Sequence, residues 1–363
     1  MTTMTMRERM LAVVQEREHD RVPFVQYSAL AASDEEVWSV LGRENMGLLA
    51  WTSVHRFDSP NCRFDVHDIE VDGRKGYRRA LHTPQGDLHE ERLYEPTFGT
   101  TSPASHFVKE PEDYRALMAY FRDVQVYKDL DLLRFAVKQM GDDGLPHVAL
   151  PRTPYQQLWV EWVGLEDLPV HLGMYPDLMA EVIALMEDLQ RRVFEVAVEA
   201  VAEGAPIPYL DFGDNITAPA IGERYFRQYC VPAYDELAAM LSETGKDVPV
   251  YVHMDGDLKP LWSAIADSAV RGLDSFSPPP DNDTSVADAV AQWPDMRLGI
   301  NFPSSVHLAE PDAIYAQTMR MLEEGGHTGR LQIQISENVP PGLWRNSFPQ
   351  ILQAIRAFGP PRA

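Results

Sequence analysis

The stretch 247–262, DVPVYVHMDGDLKPLW, contains a short apolar strand that ends in a histidine and an aspartate. Its valines alternate with other residues, so they fall on one face of an extended chain, while Tyr251 and His253 fall on the other. Asp255 continues that second face if the chain stays extended. A helix-like segment follows at once. The stretch therefore predicts a strand–helix unit with polar side chains at the carboxyl end of the strand.

The same strand-then-helix order recurs along the chain. Residues 177–203, for example, place apolar side chains three or four apart on one face, and Gly204 ends that helical pattern. Strands alternating with helices in this way predict an α/β fold, a (β/α)8 TIM barrel. The predicted strands are 22–28, 47–51, 146–151, 207–212, 248–253, 272–277, 296–301 and 331–336.

One region breaks this order. Residues 53–105 contain polar alternating runs separated by turn signals, as in VDGRKGYRRALHTPQGDLHEERLY. We interpret them as β-hairpins inserted after the second strand of the barrel, where they form part of a lid. A barrel with such an insertion accounts for the whole length, so residues 1–363 are predicted to form a single TIM-barrel domain.

Composition limits the possible partners. The formal net charge is -23, with 32 basic and 55 acidic residues, which disfavours binding to nucleic acid or to an anionic membrane. We find no apolar run long enough to span a membrane and no signal-peptide core at the start. The two cysteines, Cys62 and Cys230, have no CxxC neighbour, which argues against a disulfide framework or a thiolate metal cage. We expect a cytoplasmic protein that binds a small molecule.

Polar side chains collect near the ends of several predicted strands. In a barrel the last inward positions line the active site, and a purely structural barrel does not need polar groups there. Their presence therefore indicates a site at the mouth of the barrel. The residues concerned, besides His253 and Asp255, are Gln26, Ser28, Asp211, Asn301 and Gln334.

The order of these features resembles the uroporphyrinogen decarboxylase superfamily, over most of the chain. The resemblance begins with RERMLAVVQEREHDRVPF (7–24), which is similar to the opening helix and first strand of that family. It continues through HTPQGDL (82–88), MYPDLMAEVIALMEDL (174–189), EGAPIPYLDFGDNI (203–216), RYFRQYCVPAYDEL (224–237), VPVYVHMDGDLKPL (248–261), RGLDSFS (271–277), LGINFP (298–303) and ENVPPGLW (337–344).

Within the superfamily, the chain is more similar to the corrinoid-dependent methyltransferases than to the decarboxylase itself. The decarboxylase has an arginine-rich segment near its first strand, which an acidic porphyrinogen substrate needs. Here that place reads VQYSALAAS (25–33), without arginine. The resemblance thus implies a methyltransferase and argues against decarboxylation of a tetrapyrrole.

The methyltransferases bind zinc through a His-x-Cys and a later cysteine, and the resemblance carries this site over with substitutions. His253 takes the place of the histidine, and Asp255 stands where the first cysteine would be. The second cysteine falls near Ser336 and Glu337. The Val-Pro-Pro that follows favours Glu337 as the counterpart of this cysteine. Alternation of side chains along the strand instead favours Ser336 as the residue that faces the barrel interior.

We take His253, Asp255 and Glu337 as the predicted metal ligands. One histidine and two carboxylates carry the same formal charge as one histidine and two thiolates, so they still neutralise a divalent ion. Oxygen ligands are harder, however, and admit Mn, Fe or Mg as well as zinc.

The predicted function is methyl transfer between a small methylated or methoxylated compound and a corrinoid or another acceptor. Cobalamin would come on a partner protein or serve as a free methyl donor. The predicted catalytic residues are His253, Asp255 and Asp211. The predicted substrate-binding residues are Tyr209, Asp214, Tyr251, Asn301 and Gln334.

Three alternatives stay open. The same pocket without a corrinoid would suit a lyase or decarboxylase acting on a small carboxylate, or a binding protein that has lost catalysis. A non-haem iron oxygenase is suggested by the His-x-Asp together with His307 or His327, but that triad usually sits on a different fold. A homodimer is compatible with a barrel surface, although no stripe of the sequence demands one.

Overall fold

The computed structural model describes residues 4–96, 100–337 and 339–361. Its strands are β1 (Phe24–Tyr27), β2 (Gly47–Thr52), β3 (His55–Asp58), β4 (Arg63–Val71), β5 (Arg74–Thr83), β6 (Gly86–Glu95), β7 (Thr100–Ser105), β8 (Gln125–Lys128), β9 (Gly144–Leu150), β10 (Leu210–Phe212), β11 (Val250–His253), β12 (Gly272–Phe276), β13 (Arg297–Asn301) and β14 (Leu331–Ile335).

The helices alternate with the later strands. They are α1 (Met6–Val14), α2 (Asp34–Leu41), α3 (Tyr114–Asp123), α4 (Asp131–Met140), α5 (Pro154–Gln157), α6 (Asp167–Met174), α7 (Pro176–Ala202), α8 (Ala218–Tyr225), α9 (Val231–Ser242), α10 (Trp262–Ala266), α11 (Val286–Gln292), α12 (Pro311–Gly325) and α13 (Trp344–Phe358). None of these helices, within the described ranges, combines the length and apolar character needed to cross a membrane.

Eight strands close into a parallel barrel, in the order β1-β14-β13-β12-β11-β10-β9-β2. Each of them overlaps one of the predicted strands, so the (β/α)8 architecture is confirmed. The chain divides into two compact units. The barrel unit comprises the chain up to Val54, Leu130–Leu150 and the chain from Ala200, and the second unit comprises His55–Asp129 and Pro151–Glu199.

The second unit contains the predicted hairpins. Strands β4 to β7 form a four-stranded antiparallel sheet, and β3 pairs with β8. Asp72 and Gly73 link β4 to β5 with φ angles of 50° and 76°, which is the backbone that a tight two-residue hairpin turn requires. Residues 97–99 of the predicted insertion lie outside the described residues. The lid role and the single-domain organisation stay predictions.

Aromatic packing forms the core of the second unit. The ring of Trp162 lies 5.2 Å from that of Phe107, 5.6 Å from Tyr120 and 5.5 Å from Phe121, measured between centroids. Trp162 ends a π-helical turn, Leu158–Trp162, that continues α5. Burial of such large rings supplies much of the stability of a small unit.

At the amino end of the barrel the interior is apolar. Helix α1 contributes Met6 and Met10 to a buried cluster that includes the inward residues Val25, Leu49 and Leu145 of three barrel strands. Both methionines also lie against Gly47, where a Cβ would come within 2.5 Å of Met6 Cγ. Helix α1 therefore covers this end of the barrel, and the polar side chains are left to the opposite end.

An irregularity in β12 changes which side chains enter the barrel. The register against β13 shifts between Leu273 and Phe276, and Ser275 has a φ of 56°. Side chains of a regular strand alternate between its two faces, but a bulge of this kind lets two consecutive side chains point to the same face. Asp274 and Ser275 accordingly both make hydrogen bonds to inward side chains of other strands.

Close contact between β2 and β9 gives a test of the barrel packing. A Cβ on Gly144 would lie 2.1 Å from the Leu48 carbonyl oxygen, a backbone atom that cannot rotate away. We expect Gly144→Ala to lower the free energy of unfolding by about 1–3 kcal/mol, which is typical of overpacking. Thermal and urea denaturation would measure the change.

Gly213→Ala is the matched control, because a Cβ there meets open space and its backbone is not left-handed. It should leave the stability of the barrel unit nearly unchanged. Equal melting temperatures for Gly144→Ala and the wild type would contradict this account of the β2–β9 contact.

Candidate active site

The candidate site lies at the carboxyl ends of the barrel strands, where the register brings polar residues side by side. His253 on β11 pairs with Asp274 on β12, and Asn301 on β13 pairs with Gln334 on β14. All four are buried, and Asp211 on β10 is buried with them. Since buried polar groups need partners, the hydrogen bonds among these residues determine what the site can do.

The best-connected carboxylate is that of Asp274. Its Oδ2 lies 2.8 Å from Nδ1 of His253 and also accepts a hydrogen bond from the Tyr27 hydroxyl. The hydroxyl oxygen of Tyr27 lies 3.3 Å from Nδ1 of His253. Oδ1 of Asp274 accepts a hydrogen bond of 2.9 Å from Nε2 of Gln334. Gln332 in turn donates to Gln334 over 3.0 Å. Asp274 is thus fixed from three other barrel strands.

The second nitrogen of His253 faces Asp255. Nε2 lies 3.6 Å from Oδ2 of Asp255, and the same oxygen accepts a hydrogen bond of 2.9 Å from Asn215. The Asp255 side chain is 25% exposed, whereas that of Asp274 is 4% exposed. The imidazole therefore lies between an inner carboxylate that is buried and an outer one that reaches solvent.

A second histidine–carboxylate pair lies deeper in the barrel. His147 on β9 has Nε2 at 3.2 Å from Oδ2 of Asp211 and Nδ1 at 3.0 Å from the hydroxyl oxygen of Tyr209. Both His147 and Asp211 are fully buried. The other carboxylate oxygen of Asp211, Oδ1, has no hydrogen-bond partner among the described residues.

Charge interactions between these pairs shift their pKa values. Burial by itself would lower the pKa of His253, but the carboxylates of Asp255 and Asp274 outweigh it and hold that pKa well above 6.5. Burial likewise opposes protonation of His147, and Asp274 and Asp211 together raise its pKa. Burial and the charge of Asp274 raise the pKa of Asp211 to about 6. The two histidines and Asp211 therefore hold protons more readily than they would in water, whereas for Asp274 the effect of burial is outweighed by the histidines, which lower its pKa.

The two candidates at the end of β14 have different surroundings. Ser336 lies inside the barrel, where its hydroxyl is 2.8 Å from that of Ser275 and its backbone N–H donates to Asn301 Oδ1. Glu337 accepts hydrogen bonds from Ser277 on one oxygen and Ser304 on the other, over 2.8 and 3.1 Å. Burial, with a contribution from the charge of Asp255, raises the pKa of Glu337. Glu337 is thus the candidate that interacts electrostatically with Asp255.

Donor spacing allows a test of the predicted metal ligands. Two ligands of one tetrahedral first-row ion lie about 3.4 Å apart, given bonds of about 2.1 Å. The 3.6 Å between His253 Nε2 and Asp255 Oδ2 fits that spacing. Asp274 on Nδ1 also acts as the outer carboxylate that metal-binding histidines usually have. The spacing of His253 and Asp255 thus suits two ligands of one divalent ion.

The closest grouping of ligand atoms is a different one. Among the described histidines, cysteines and acidic residues, His147, Asp211 and Asp274 bring one ligand atom each within 4.8 Å of the others, and the predicted set of His253, Asp255 and Glu337 does not reach that spacing. The predicted metal set therefore stays a prediction.

Other predicted site residues are placed less directly. Asp214 is fully buried and accepts the hydroxyl hydrogen of Tyr234 on α9, outside the barrel strands. Tyr209 and Tyr251 stack with centroids 4.4 Å apart and belong to the apolar cluster below the site. Asn301 uses its amide to bind Ser277 and Ser336. Their roles in substrate binding stay predictions.

In β1 the inward residue differs from the one expected. We expected Gln26 and Ser28 to contribute to the mouth of the barrel. Tyr27 faces the interior instead, because Gln26 and Ser28 both donate to the carboxylate of Asp34 at the start of α2. Polar residues of a barrel strand can thus face away from the site when a polar partner lies near the end of the strand.

Three residues of the site were missed in the sequence, namely Tyr27, His147 and Asp274. The signal for two of them was present: His147 lies within the buried strand GLPHVAL and Asp274 within GLDSF. A charged residue inside an apolar barrel strand is costly unless it is paired, so both deserved inclusion. His307, which the iron-oxygenase alternative needs, lies 2.7 Å from Ser347 through Nδ1 and makes no described contact with His253.

Comparison with known proteins agrees with this architecture. Residues 168–342 match the sequence profile described as uroporphyrinogen decarboxylase (URO-D). No curated protein matches the chain significantly. A methyltransferase from Methanosarcina mazei is similar in structure, with a TM-score of 0.56 and 14% identity over 98% of this chain and 99% of that one.

A B12-independent methionine synthase from Shewanella sp. W3-18-1, in complex with selenomethionine, gives a TM-score of 0.45 and 11% identity over 92% of this chain and 96% of that one. At 14% identity the Methanosarcina structure shows a shared fold. The predicted resemblance to the uroporphyrinogen decarboxylase superfamily is therefore confirmed, through the sequence match over residues 168–342.

Proposed function

We propose that this protein is a methyltransferase, which moves a methyl group between a small methylated or methoxylated compound and a corrinoid or another acceptor. The observation that carries the proposal is His253, oriented by Asp274 on Nδ1 and facing Asp255 with Nε2. It stands where the resemblance to corrinoid-dependent methyltransferases expects the zinc-binding histidine. The fold shared with the Methanosarcina mazei methyltransferase is in keeping with this function.

In the proposed reaction His253 supplies a proton. When a methyl group leaves an ether, the oxygen keeps the electron pair of the broken carbon–oxygen bond and must be protonated. His253 carries a proton at neutral pH because the nearby carboxylates raise its pKa. Asp274 fixes the ring, and Asp255 positions the proton on Nε2 at the solvent side of the site.

Two absent groups complete the proposal. A corrinoid, free or on a partner protein, would supply the centre that gives or takes the methyl group. In a second, metal-bound state, in which Nε2 of His253 has lost its proton, a divalent ion such as zinc on His253, Asp255 and Glu337 would supply Lewis acidity beside the leaving atom in place of that proton. The small substrate would lie over the network of Asn301 and Gln334. A cytoplasmic location and a homodimer stay predictions.

The charge of the site favours methyl transfer over the carboxy-lyase alternative. The carboxylates of Asp211, Asp255, Asp274 and Glu337 all belong to the network, and none of the hydrogen bonds described for them involves a lysine or an arginine. A small carboxylate substrate would meet like charges without a basic partner. A neutral methyl ether or a methylated amine meets no such repulsion.

Methyl transfer is the direct test. The purified protein would be incubated with reduced cobalamin and a panel of methoxylated and methylated compounds, with the demethylated product measured by chromatography. In the reverse direction it would be incubated with methylcobalamin and the demethylated compounds, with the methylated product measured. We expect His253→Ala to lower the rate at least about 100-fold, since it removes the proton donor. Asp274→Asn should lower it about 10- to 100-fold, because it leaves the ring unoriented.

Asp257→Asn is the matched control for Asp255→Asn. Asp257 is two residues away and accepts the backbone N–H of Asp283 over 3.0 Å, outside the His253 network. Activity should survive in Asp257→Asn and fall in Asp255→Asn. Release of carbon dioxide from a small carboxylate, with no methyl transfer to or from any corrinoid, would replace this proposal with the carboxy-lyase.

The raised pKa of His253 also predicts a pH dependence of stability. A group whose pKa is higher in the folded state stabilises the fold fully below its unfolded pKa, about 6.5 for histidine, and this contribution is lost as pH rises through the folded value. We therefore expect the melting temperature of the wild type to exceed that of His253→Gln most at about pH 6. The gap should narrow progressively towards alkaline pH.

The melting curves would be recorded in the presence of a chelator, so that bound metal does not compete with protons. His327→Gln, which changes an exposed histidine, is the control and should give a small difference at every pH. A gap between the wild type and His253→Gln that widens with rising pH would show that the two carboxylates do not stabilise the imidazolium.

A further inference from the structure

We propose that His147, Asp211 and Asp274 form a binding site for a first-row divalent metal ion, distinct from the set predicted at the mouth of the barrel. The three residues project from β9, β10 and β12, and one ligand atom of each lies within 4.8 Å of the others. This site does not depend on the methyl-transfer proposal.

The independent observation is the unpartnered oxygen of Asp211. Its Oδ2 faces His147 Nε2 at 3.2 Å, while Oδ1 is shielded from solvent and has no donor among the described residues. A buried carboxylate oxygen without a partner is strongly destabilising. A cation bound at this place would supply the missing interaction.

Two of the three ligands, His147 and Asp274, have an outer partner that orients them. The Tyr209 hydroxyl lies 3.0 Å from Nδ1 of His147, so it can accept that N–H and leave the Nε2 lone pair directed towards Asp211. Asp274 is oriented by Gln334 on one oxygen and by His253 on the other. Such outer hydrogen bonds accompany most metal-binding histidines and carboxylates, and Oδ1 of Asp274, which accepts one hydrogen bond, keeps a further lone pair for an ion.

Charge and donor type indicate which cation the site would take. Two carboxylates and a neutral imidazole balance one divalent ion, and none of the ion pairs described for these residues involves a lysine or an arginine. Nitrogen and oxygen donors suit borderline and hard ions such as Mn²⁺, Fe²⁺ and Zn²⁺, and disfavour Cu⁺, which prefers sulfur. We therefore assign the site to this class of ion.

Metal retention by variants distinguishes this site from the mouth of the barrel. Chelator-stripped protein would be loaded with Mn²⁺ or Zn²⁺, passed over a desalting column and analysed for metal per chain. We expect Asp211→Asn and His147→Gln to weaken binding at least about 10-fold. Asp255→Asn and Glu337→Gln, matched changes at the mouth, should leave this ion bound.

The proposal is overturned if the stripped wild type retains neither ion, or if retention depends on Asp255 and not on Asp211. Should the buried variants fail to fold, anomalous diffraction from wild-type crystals soaked in Mn²⁺ decides the question. A peak between His147 and Asp211 supports the site, and a peak at His253 and Asp255 alone refutes it. Because these readouts need no turnover, they are independent of whether the protein transfers methyl groups.

Discussion

The hydrogen bond between Asp274 and His253 is the interaction on which the carboxyl end of the barrel depends. A buried carboxylate is tolerated only when donors surround it, and Asp274 finds them on three other strands, in Tyr27, His253 and Gln334. The bulge in β12 is what brings Asp274 and Ser275 into the interior together. Loss of any one donor would leave part of a buried charge uncompensated, so these strands must be in register before the site exists.

The two ends of the barrel interior are filled by different kinds of side chain. At the amino end, α1 and the inward aliphatic side chains form an apolar cluster that needs no specific partners. At the carboxyl end, histidines and carboxylates occupy equivalent positions, although apolar residues of similar volume would pack there at lower electrostatic cost. That contrast is the physical reason for assigning function to this end.

Much of the fold follows from alternation and strand–helix order, because those patterns are local. His253 and Asp255 could be found in the sequence for the same reason, since they end a single strand. The partners of His253 could not be found in the sequence, because they depend on the pairing of β11 with β12 and on the bulge after Leu273. Contacts between distant segments determine both features. The inward position of Tyr27 depends on a contact outside its own strand, the hydrogen bond from Gln26 to Asp34 at the start of α2.

Protons on the histidines and bound metal ions are two alternative ways to compensate the negative charge of the buried carboxylates in this cavity. Despite burial, Asp274 and Asp211 raise the pKa of His147, and Asp255 and Asp274 raise that of His253, so without metal both imidazoles take up a proton more readily. A metal ligand must be deprotonated, so an ion at either histidine displaces a proton. His253 cannot therefore bind an ion and donate its Nε2 proton in the same state. An ion at His147, Asp211 and Asp274 leaves Nε2 of His253 unligated. Because the charge of that ion would offset the charge of Asp274, Asp255 would then be the carboxylate that holds the proton on His253.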